Sequence, residues 1–599
     1  MGFIVVVTLL SILGSCHAFL PGGMPQHFHF PPSVVSTQNM HPIKRHRHTV
    51  DTALTSSKTS TVPKQGRLRR FRNWQKRRKE RKLVGKGLQD ETAAATDEVS
   101  TAIRKITTLE ELDQYWDANV DLKDPKAYLS TLSVVGDTQM IGSPEKDDNG
   151  EYFIHPVLNV LHERKRRMLQ QGDSNNSTDP EQKIALVIEG GGMRGCVTAG
   201  MVAALHYLGL RDCFDVVYGS SAGSIIGAYF IAGQLPWFGP ELYYDKLPTA
   251  GKSFIDTGRL LRALGLGLLN PRLVRDVVTR RNSEKPVLNL DFLLKETLQN
   301  SKRLDWNTFE ERQASGKQPL KIMASAMKRE RFIVMDYEHG HFSSLEELAQ
   351  CMHASCLLPG ITGPAMNIRI NGNSTDETKF VLCNNLQDEN FEPLADSLIY
   401  APIPFTAAMQ EGATHIVVLR SKPDGGDVIG KGGSIGERLT WKRFLLKKNK
   451  LPNIFRYLCQ QRHKRLYSRS VLALNEASRP DNESPLPPTL TVALSEEHSE
   501  IARLESRREE IFEGVRHGFA RAHDSLVEDP LQRGKGYEIA TRFFPDEILD
   551  YSPSTIDSSS SSAFERYLAE TGIVPEAWIG LDHPPVRDPA VKAMRVSMT

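Results

Sequence analysis

The stretch IEGGGMRG at residues 188–195 decides the fold, together with GSSAG at residues 219–223. Each glycine-rich turn follows a short apolar run, at 184–188 and 214–218, and precedes a segment rich in Ala, Gly and aliphatic residues. This pattern predicts a strand, a tight turn and a helix, twice in succession. Strands that alternate with helices in this way predict a mostly parallel sheet with helices on both faces.

The second turn has the pattern of a nucleophile elbow, in which a Ser is flanked by Gly two residues before and two residues after. Ser221 is that Ser; Gly219 and Gly223 allow the sharp turn, and Ser220 and Ala222 complete it. We expect Ser221 at a helix N-terminus, where the dipole and the free N–H groups favour developing negative charge. This layout predicts an acyl hydrolase.

The first turn is a candidate oxyanion loop, because a backbone without side chains lets N–H groups approach a tetrahedral intermediate closely. Its Arg either fixes the loop or favours an anionic substrate. The same glycines fit a dinucleotide-binding fingerprint, but a Rossmann fold has no use for Gly-x-Ser-x-Gly after its second strand. The candidate loop residues are Gly190, Gly191, Gly192, Met193, Arg194 and Gly195.

Length and composition restrict the remaining possibilities. The 599 residues allow two to four domains, or one large domain with extensions. A net charge of +3 provides no global electrostatic case for nucleic-acid binding. The seven Cys form no CxxC pair and no Cys/His cluster, so neither a disulfide framework nor a metal site is predicted.

The N-terminus has the composition of a targeting leader. Residues 1–18 contain a short apolar run and end in small residues, as in a signal peptide, and residues 19–100 form a basic segment that begins poor in acids, as in a transit peptide. The junction Ala18-Phe19-Leu20-Pro21 resembles the bipartite plastid leaders of algae with secondary plastids. The alternatives are the secretory pathway or endomembranes, and, for the basic run at 67–82, a nucleic-acid or anionic-membrane patch.

Changes in composition divide the rest of the chain. The predicted parts are an N-terminal extension and linker at 101–182, a catalytic domain at 183–424, a helical C-terminal extension at 425–530 with a short strand at 489–494, and a Ser/Pro-containing tail at 531–599.

Further motifs make the chain similar to the patatin-like phospholipases over about 155–522, most of all to a bacterial and plant branch with a helical C-terminal extension. The resemblance implies a three-layer α/β fold, a Ser–Asp dyad of Ser221 and Asp396, and a disordered N-terminal leader. Besides the two turns, the motifs that carry it are Ala199-Gly200, His353-Ala354-Ser355 with Pro359, Asp396, Ile403-Pro404 and Gly412-Ala413-Thr414-His415.

The sequence departs from the family after Asp396, where Ser397-Leu398 replace the usual glycines. A turn that needs a positive φ would be strained at Leu398. The alternative base, Asp424, is followed by two glycines but lies on the wrong side of the predicted strand at 411–419.

A Ser-His-Asp triad through His353 or His415 is also conceivable, but we expect structural roles for both His. The apolar stretch at 263–269 is either core or the lining of an acyl groove.

The resulting hypothesis is a hydrolase of carboxylic esters in polar glycerolipids, phospholipid or galactolipid, that acts through an acyl-enzyme. We expect peripheral contact with membrane lipid and no nucleic acid, cofactor or metal; the oligomeric state stays open. The alternatives are transfer of the acyl group to another lipid alcohol, and a non-catalytic lipid-binding or scaffold protein with a decayed dyad.

Overall fold

A computed structural model describes most of the chain from residue 155 to residue 572. The predicted leader, the basic run at 67–82 and the stretch at 263–269 lie outside the described residues. The described residues are 155–171, 182–234, 238–256, 288–358, 362, 365–369, 380–383, 390–424, 438, 441–478, 486–495, 497–551 and 562–572.

A mixed sheet forms the centre of the fold, in the order β6-β5-β7-β3-β2-β1-β8-β9, with β4 beside β3. The five strands β3, β2, β1, β8 and β9 are parallel neighbours, whereas β4, β5, β6 and β7 pair antiparallel at one side. The strands are β1 Ile184–Ile188, β2 Val216–Ser220, β3 Leu320–Ala326, β4 Arg331–Met335, β5 Ala365–Arg369, β6 Phe380–Cys383, β7 Phe391–Ala395, β8 His415–Leu419 and β9 Thr489–Val492.

The helices that the structure describes are α1 Pro156–Gln171, α2 Gly195–Tyr207, α3 Ala222–Ile231, α4 Phe238–Glu241, α5 Leu247–Ala250, α6 Trp306–Ala314, α7 Leu345–Cys356, α8 Phe405–Gln410, α9 Pro452–Cys459, α10 Arg462–Ala477, α11 Arg508–Leu526, α12 Gly536–Phe543 and α13 Ala563–Thr571. Three π-helical segments, Leu242–Lys246, Phe292–Ser301 and Lys442–Lys448, interrupt the regular helices. Of the described helices, none combines the length and apolar composition needed to cross a bilayer.

Helices cover both faces of the sheet, because side chains along each strand alternate between the faces. In β1, Leu186 and its even-numbered neighbours belong to the larger core, which contains α2, α3, α7 and α11. Ala185 and Val187 belong to a second core, which contains α8 and α10. The result is the predicted three-layer α/β architecture.

The C-terminal extension is part of this architecture. Strand β9 lies parallel to β8, and α11 packs against α2 at backbone contact. A Cβ atom built on Gly200 would lie 2.0 Å from the carbonyl oxygen of Val515, and one on Gly518 would lie 2.0 Å from that of Val197. Only glycine fits at either position, so the close contact of the two helices requires one glycine from each of them.

Several element boundaries differ from the sequence prediction: β8 begins at His415 rather than at residue 411, and β9 ends at Val492 rather than at residue 494. Strand β2 begins at Val216 rather than Phe214, because the carboxylate of Asp215 accepts the Ile184 N–H at 2.7 Å and stops regular pairing. Part of the predicted tail at 531–599 is helical: α12 and α13 bury Phe543 and Phe564 in the larger core.

Candidate active site

Ser221 lies between β2 and α3, in the strained conformation of a nucleophile elbow. Its φ of 50° and ψ of −123° are rare for a residue with a side chain, and α3 begins at the next residue. A Cβ on Gly219 would lie 2.5 Å from the Ser224 Cα, and one on Gly223 would lie 2.2 Å from the Ile188 carbonyl oxygen. Both predicted glycines are therefore required by the close packing of the turn.

Asp396 faces Ser221 from the end of β7. The Ser221 Oγ donates to the Asp396 Oδ2 at 3.3 Å, which is long for such a bond but typical of a catalytic pair without substrate. The Asp396 backbone is fixed on two sides, by its N–H to the Leu357 carbonyl at 2.7 Å and by its own carbonyl, which accepts from Ser325 Oγ at 2.9 Å. The structure thus brings the two residues of the predicted dyad together.

Burial makes Asp396 a stronger base than an ordinary carboxylate. Its side chain is only 6 % exposed, and this desolvation raises its pKa from 3.8 to about 6. The N–H of Leu398, the positive charge of Arg503 and the Ser221 hydroxyl act in the opposite direction. At neutral pH the carboxylate is still mostly ionised and can accept the serine proton.

The turn after Asp396 does not need the missing glycines. Asp396 caps a short 3₁₀ helix, Ser397–Ile399, and its Oδ1 accepts the Leu398 N–H at 2.8 Å. Neither Ser397 nor Leu398 is among the described residues with positive φ. The strain expected at Leu398 is therefore absent, because the chain turns through 3₁₀ geometry that any residue can adopt.

The glycine-rich loop lies beside Ser221 and Asp396. Its hydrogen bonds reduce the number of N–H groups that can still donate to an oxyanion. The Met193 N–H donates to the carbonyl oxygen of Arg503 at 3.0 Å, and the Gly195 N–H donates within its own turn. Among the described residues, the N–H groups of Gly190, Gly191 and Gly192 have no acceptor. These three, with the first N–H of α3 at Ala222, remain as candidate donors. Met193 and Gly195 do not, and neither does Arg194, whose N–H donates to the Gly191 carbonyl oxygen at 3.4 Å.

Close packing explains two glycines of this loop. A Cβ on Gly190 would lie 2.3 Å from the Ser220 carbonyl oxygen and 2.7 Å from the Ser221 Cβ. Gly192 has a φ of 62°, and a Cβ there would lie 2.7 Å from the carbonyl oxygen of Arg503. The loop therefore contacts the nucleophile on one side and the C-terminal extension on the other.

Arg194 holds the loop in place. Its side chain is 1 % exposed and forms a salt bridge with Glu500 of the C-terminal extension. The Lys422 Nζ lies 3.9 Å from the same carboxylate. Burial and the neighbouring Arg194 lower the pKa of Lys422 from 10.5 to about 7. Of the two roles predicted for Arg194, the geometry fits the first, that of fixing the loop.

A cavity of about 950 Å³, part of it open to solvent, lies over the dyad. Ser221, Asp396 and the glycine-rich loop form its polar end. Large apolar side chains form most of the remaining wall, as a site for an acyl chain requires. They include Ile225, Tyr243, Leu247, Phe254, Leu290, Leu293, Leu358, Leu398 and Leu504.

The alternative catalytic residues lie in other environments. His353 is buried in α7, where desolvation lowers its pKa to about 4, and His415 contacts the hydroxyl of Thr414 at 3.0 Å. Asp424 forms a buried salt bridge with Arg420 at 2.8 Å. None of the three is among the residues that line the cavity.

The start of α2 offers no room for a dinucleotide. A Cβ on Gly195 would lie 2.2 Å from the Tyr243 hydroxyl, and the neighbouring Met193 N–H is already bonded. A pyrophosphate at this helix N-terminus would need that space.

One cluster outside the cavity has the composition of a metal site. Asp336, Glu338 and His339 bring possible ligand atoms within 4.8 Å of one another. However, the Lys321 Nζ lies 2.6 Å from the Asp336 Oδ2, and this ammonium already supplies the positive charge that the carboxylate needs. We assign the cluster to the turn that follows β4, which the Lys321–Asp336 salt bridge links to β3.

Residues 186–409 match the family model of the patatin-like phospholipases. The chain contains a patatin-like phospholipase domain. This family comprises hydrolases that act on lipid esters. A solved structure, that of VipD from Legionella pneumophila, is 12 % identical with a TM-score of 0.27; the match covers 58 % of this chain and 67 % of that one. No curated protein matches the chain.

Three residues around the patatin-like site were not predicted from the sequence. Ser355 was noted as part of a motif, but its Oγ accepts the Ser221 N–H at 2.8 Å and so positions the nucleophile. Glu500 and Arg503 belong to the extension beyond the matched region, and both contact the glycine-rich loop. The sequence shows only that the segment 500–505 carries charges of both signs among apolar residues.

Proposed function

We propose that the protein is a lipid acyl hydrolase that cleaves carboxylic esters of polar glycerolipids through Ser221 and Asp396. The observation that carries this proposal is the 3.3 Å approach of the Ser221 Oγ to a buried carboxylate at the polar end of an apolar cavity. The patatin-like domain supports lipid ester hydrolysis as the class of reaction.

In the proposed reaction, Ser221 Oγ attacks the ester carbonyl carbon while its proton passes to Asp396. The candidate donors to the resulting oxyanion are the N–H groups of Gly190, Gly191, Gly192 and Ala222. Collapse of the intermediate breaks the ester bond, and the lipid alcohol leaves with the proton from Asp396. Water then gives a proton to Asp396 and attacks the acyl-enzyme, and departure of the fatty acid returns that proton to Ser221.

The test is fatty-acid release from phospholipid and galactolipid micelles by the unmodified protein, the Ser221→Ala variant and the Asp396→Asn variant. We expect both variants to lose at least about 10³-fold in kcat, as in other enzymes from which one member of the catalytic machinery is removed. Loss in the Ser221 variant alone would place the base elsewhere. A folded but inactive unmodified protein would favour the scaffold alternative.

We also propose that residues 1–100 direct the protein to a plastid bounded by additional membranes, where it contacts membrane lipid peripherally. The Ala18-Phe19 junction and the basic, acid-poor composition support this location. A fluorescent protein fused behind residues 1–100 tests it: plastid fluorescence is expected, and fluorescence in the endomembranes would contradict it.

A further inference from the structure

Two residues of the C-terminal extension, Arg503 and Leu504, form part of the wall of the catalytic cavity. The carbonyl oxygen of Arg503 accepts the Met193 N–H, and the charge of its guanidinium acts on Asp396. Arg503 lies directly beside Gly192. Because Gly192 has no Cβ, the backbone of Arg503 can lie there. A residue of the extension is thus adjacent to both the candidate oxyanion donors and the dyad.

The cations around this wall differ in their partners. Arg194 is bonded to Glu500, and Lys422 lies between that carboxylate and the Tyr467 ring, 5.4 Å from the ring centre. Within the part of the chain that the structure describes, the Arg503 guanidinium forms neither a hydrogen bond nor a salt bridge. It is the cation at this wall whose donors are still available to a ligand.

The position of Arg503 is unfavourable for an unpaired cation. The side chain is partly buried, and desolvation together with repulsion by Arg194 lowers its pKa to about 10. Three carboxylates, Asp396, Glu500 and Glu189, act on Arg503 from a distance, but none of them is paired with its guanidinium. A bound anion would accept hydrogen bonds from the unused donors of the Arg503 guanidinium.

We propose that Arg503 binds the phosphodiester group of a glycerophospholipid whose acyl chain lies along the apolar wall of the cavity. A guanidinium presents paired donors that match two phosphate oxygens, which an uncharged sugar head group does not offer. The C-terminal extension therefore sets a preference for phospholipids over galactolipids. This inference rests on the proposed function for its substrate, but binding can be measured without hydrolysis.

The first experiment measures binding by calorimetry in the full chain carrying Ser221→Ala, with dihexanoyl phosphatidylcholine as the probe. Adding Arg503→Gln is expected to weaken binding about 10- to 100-fold, as removal of a charged hydrogen bond does. Adding Arg507→Gln is the matched control, because Arg507 is exposed and already paired with Glu505 and Glu510; binding is expected to stay the same. Equal binding in all three proteins would overturn the proposal.

The second experiment compares kcat/KM for phosphatidylcholine and digalactosyldiacylglycerol with matched acyl chains in mixed micelles. Both lipids have no net charge, so the comparison isolates the phosphate from the surface potential. Arg503→Gln is expected to lower the phospholipid-to-galactolipid ratio about 10- to 100-fold. An equal loss on both lipids would instead make Arg503 a residue that supports the loop, and would overturn the proposal.

Two further outcomes separate the possible failures. Binding that depends on Arg503 without fatty-acid release from any lipid would refute the proposed hydrolase and uphold the phosphate site. Inorganic phosphate alone that binds as tightly as the phospholipid would identify a site for free anions, contrary to the lipid assignment.

Discussion

Replacing Asp396 by Asn is predicted to remove activity and, at the same time, to stabilise the fold at alkaline pH. Burial raises the pKa of Asp396 from 3.8 to about 6, so at pH 8 the native state contains an ionised carboxylate in a site that disfavours it. This pKa difference corresponds to a cost of up to about 3 kcal/mol relative to the unfolded chain. Asn has nearly the same shape, and its oxygen can keep the Leu398 N–H bond.

The direction of this change in stability with pH follows from the raised pKa of Asp396. Protonation of Asp396 contributes stability that is fully present below pH 3.8 and is lost as the pH rises through about 6. At pH 8 the native state of the unmodified protein therefore bears the cost of an ionised Asp396. The Asn variant has no charge at this position and does not bear that cost. The midpoint of thermal unfolding should therefore be higher for Asp396→Asn than for the unmodified protein at pH 8, and this difference should shrink at pH 5.

The assay is thermal unfolding of both proteins by circular dichroism at pH 5, 6.5 and 8, with fatty-acid release measured on the same samples. Asp424→Asn is the control, because it removes the partner of the buried Arg420 and should destabilise the fold at pH 8. An Asp396→Asn variant that is less stable than the unmodified protein at pH 8 would refute the assignment of Asp396 as a buried base whose ionised form is disfavoured.

Two further predictions concern the dyad and the helix crossing. The value of kcat/KM should rise with pH and level off above about 6, because only ionised Asp396 accepts the serine proton; at pH 5 it should be about tenfold below the plateau. A pH-independent rate between 5 and 7 would contradict this. Gly200→Ala should lower the unfolding midpoint, because its Cβ would lie 2.0 Å from the Val515 carbonyl oxygen. A variant as stable as the unmodified protein would show that α2 and α11 separate at little cost.

Local patterns were sufficient to predict the strands around the two glycine turns and the place of Ser221. Asp396 was predicted only through the resemblance to the patatin-like phospholipases, and the structure places it in hydrogen-bond contact with Ser221. The apolar pattern of a strand can be recognised in a single sequence, because each strand must bury its own side chains.

The contribution of the extension could not be predicted in this way. Glu500 and Arg503 lie in irregular backbone between β9 and α11, where neither a helical nor a strand period relates a residue to its contacts. Their partners, Arg194 and Met193, lie about 300 residues earlier in the chain. The pKa of Asp396 was likewise inaccessible, since it depends on how completely the side chains of distant segments exclude water.

The bond from the Met193 N–H to the Arg503 carbonyl also has a consequence for the timing of synthesis. Arg503 follows Gly192 by 311 residues, so a ribosome that adds about 5–20 residues per second needs roughly 15–60 s to cover that distance. During most of that interval the nascent chain contains Ser221, but the glycine loop lacks one of the contacts that hold it. A growing chain of this protein therefore passes through a period in which it cannot yet have its finished catalytic site.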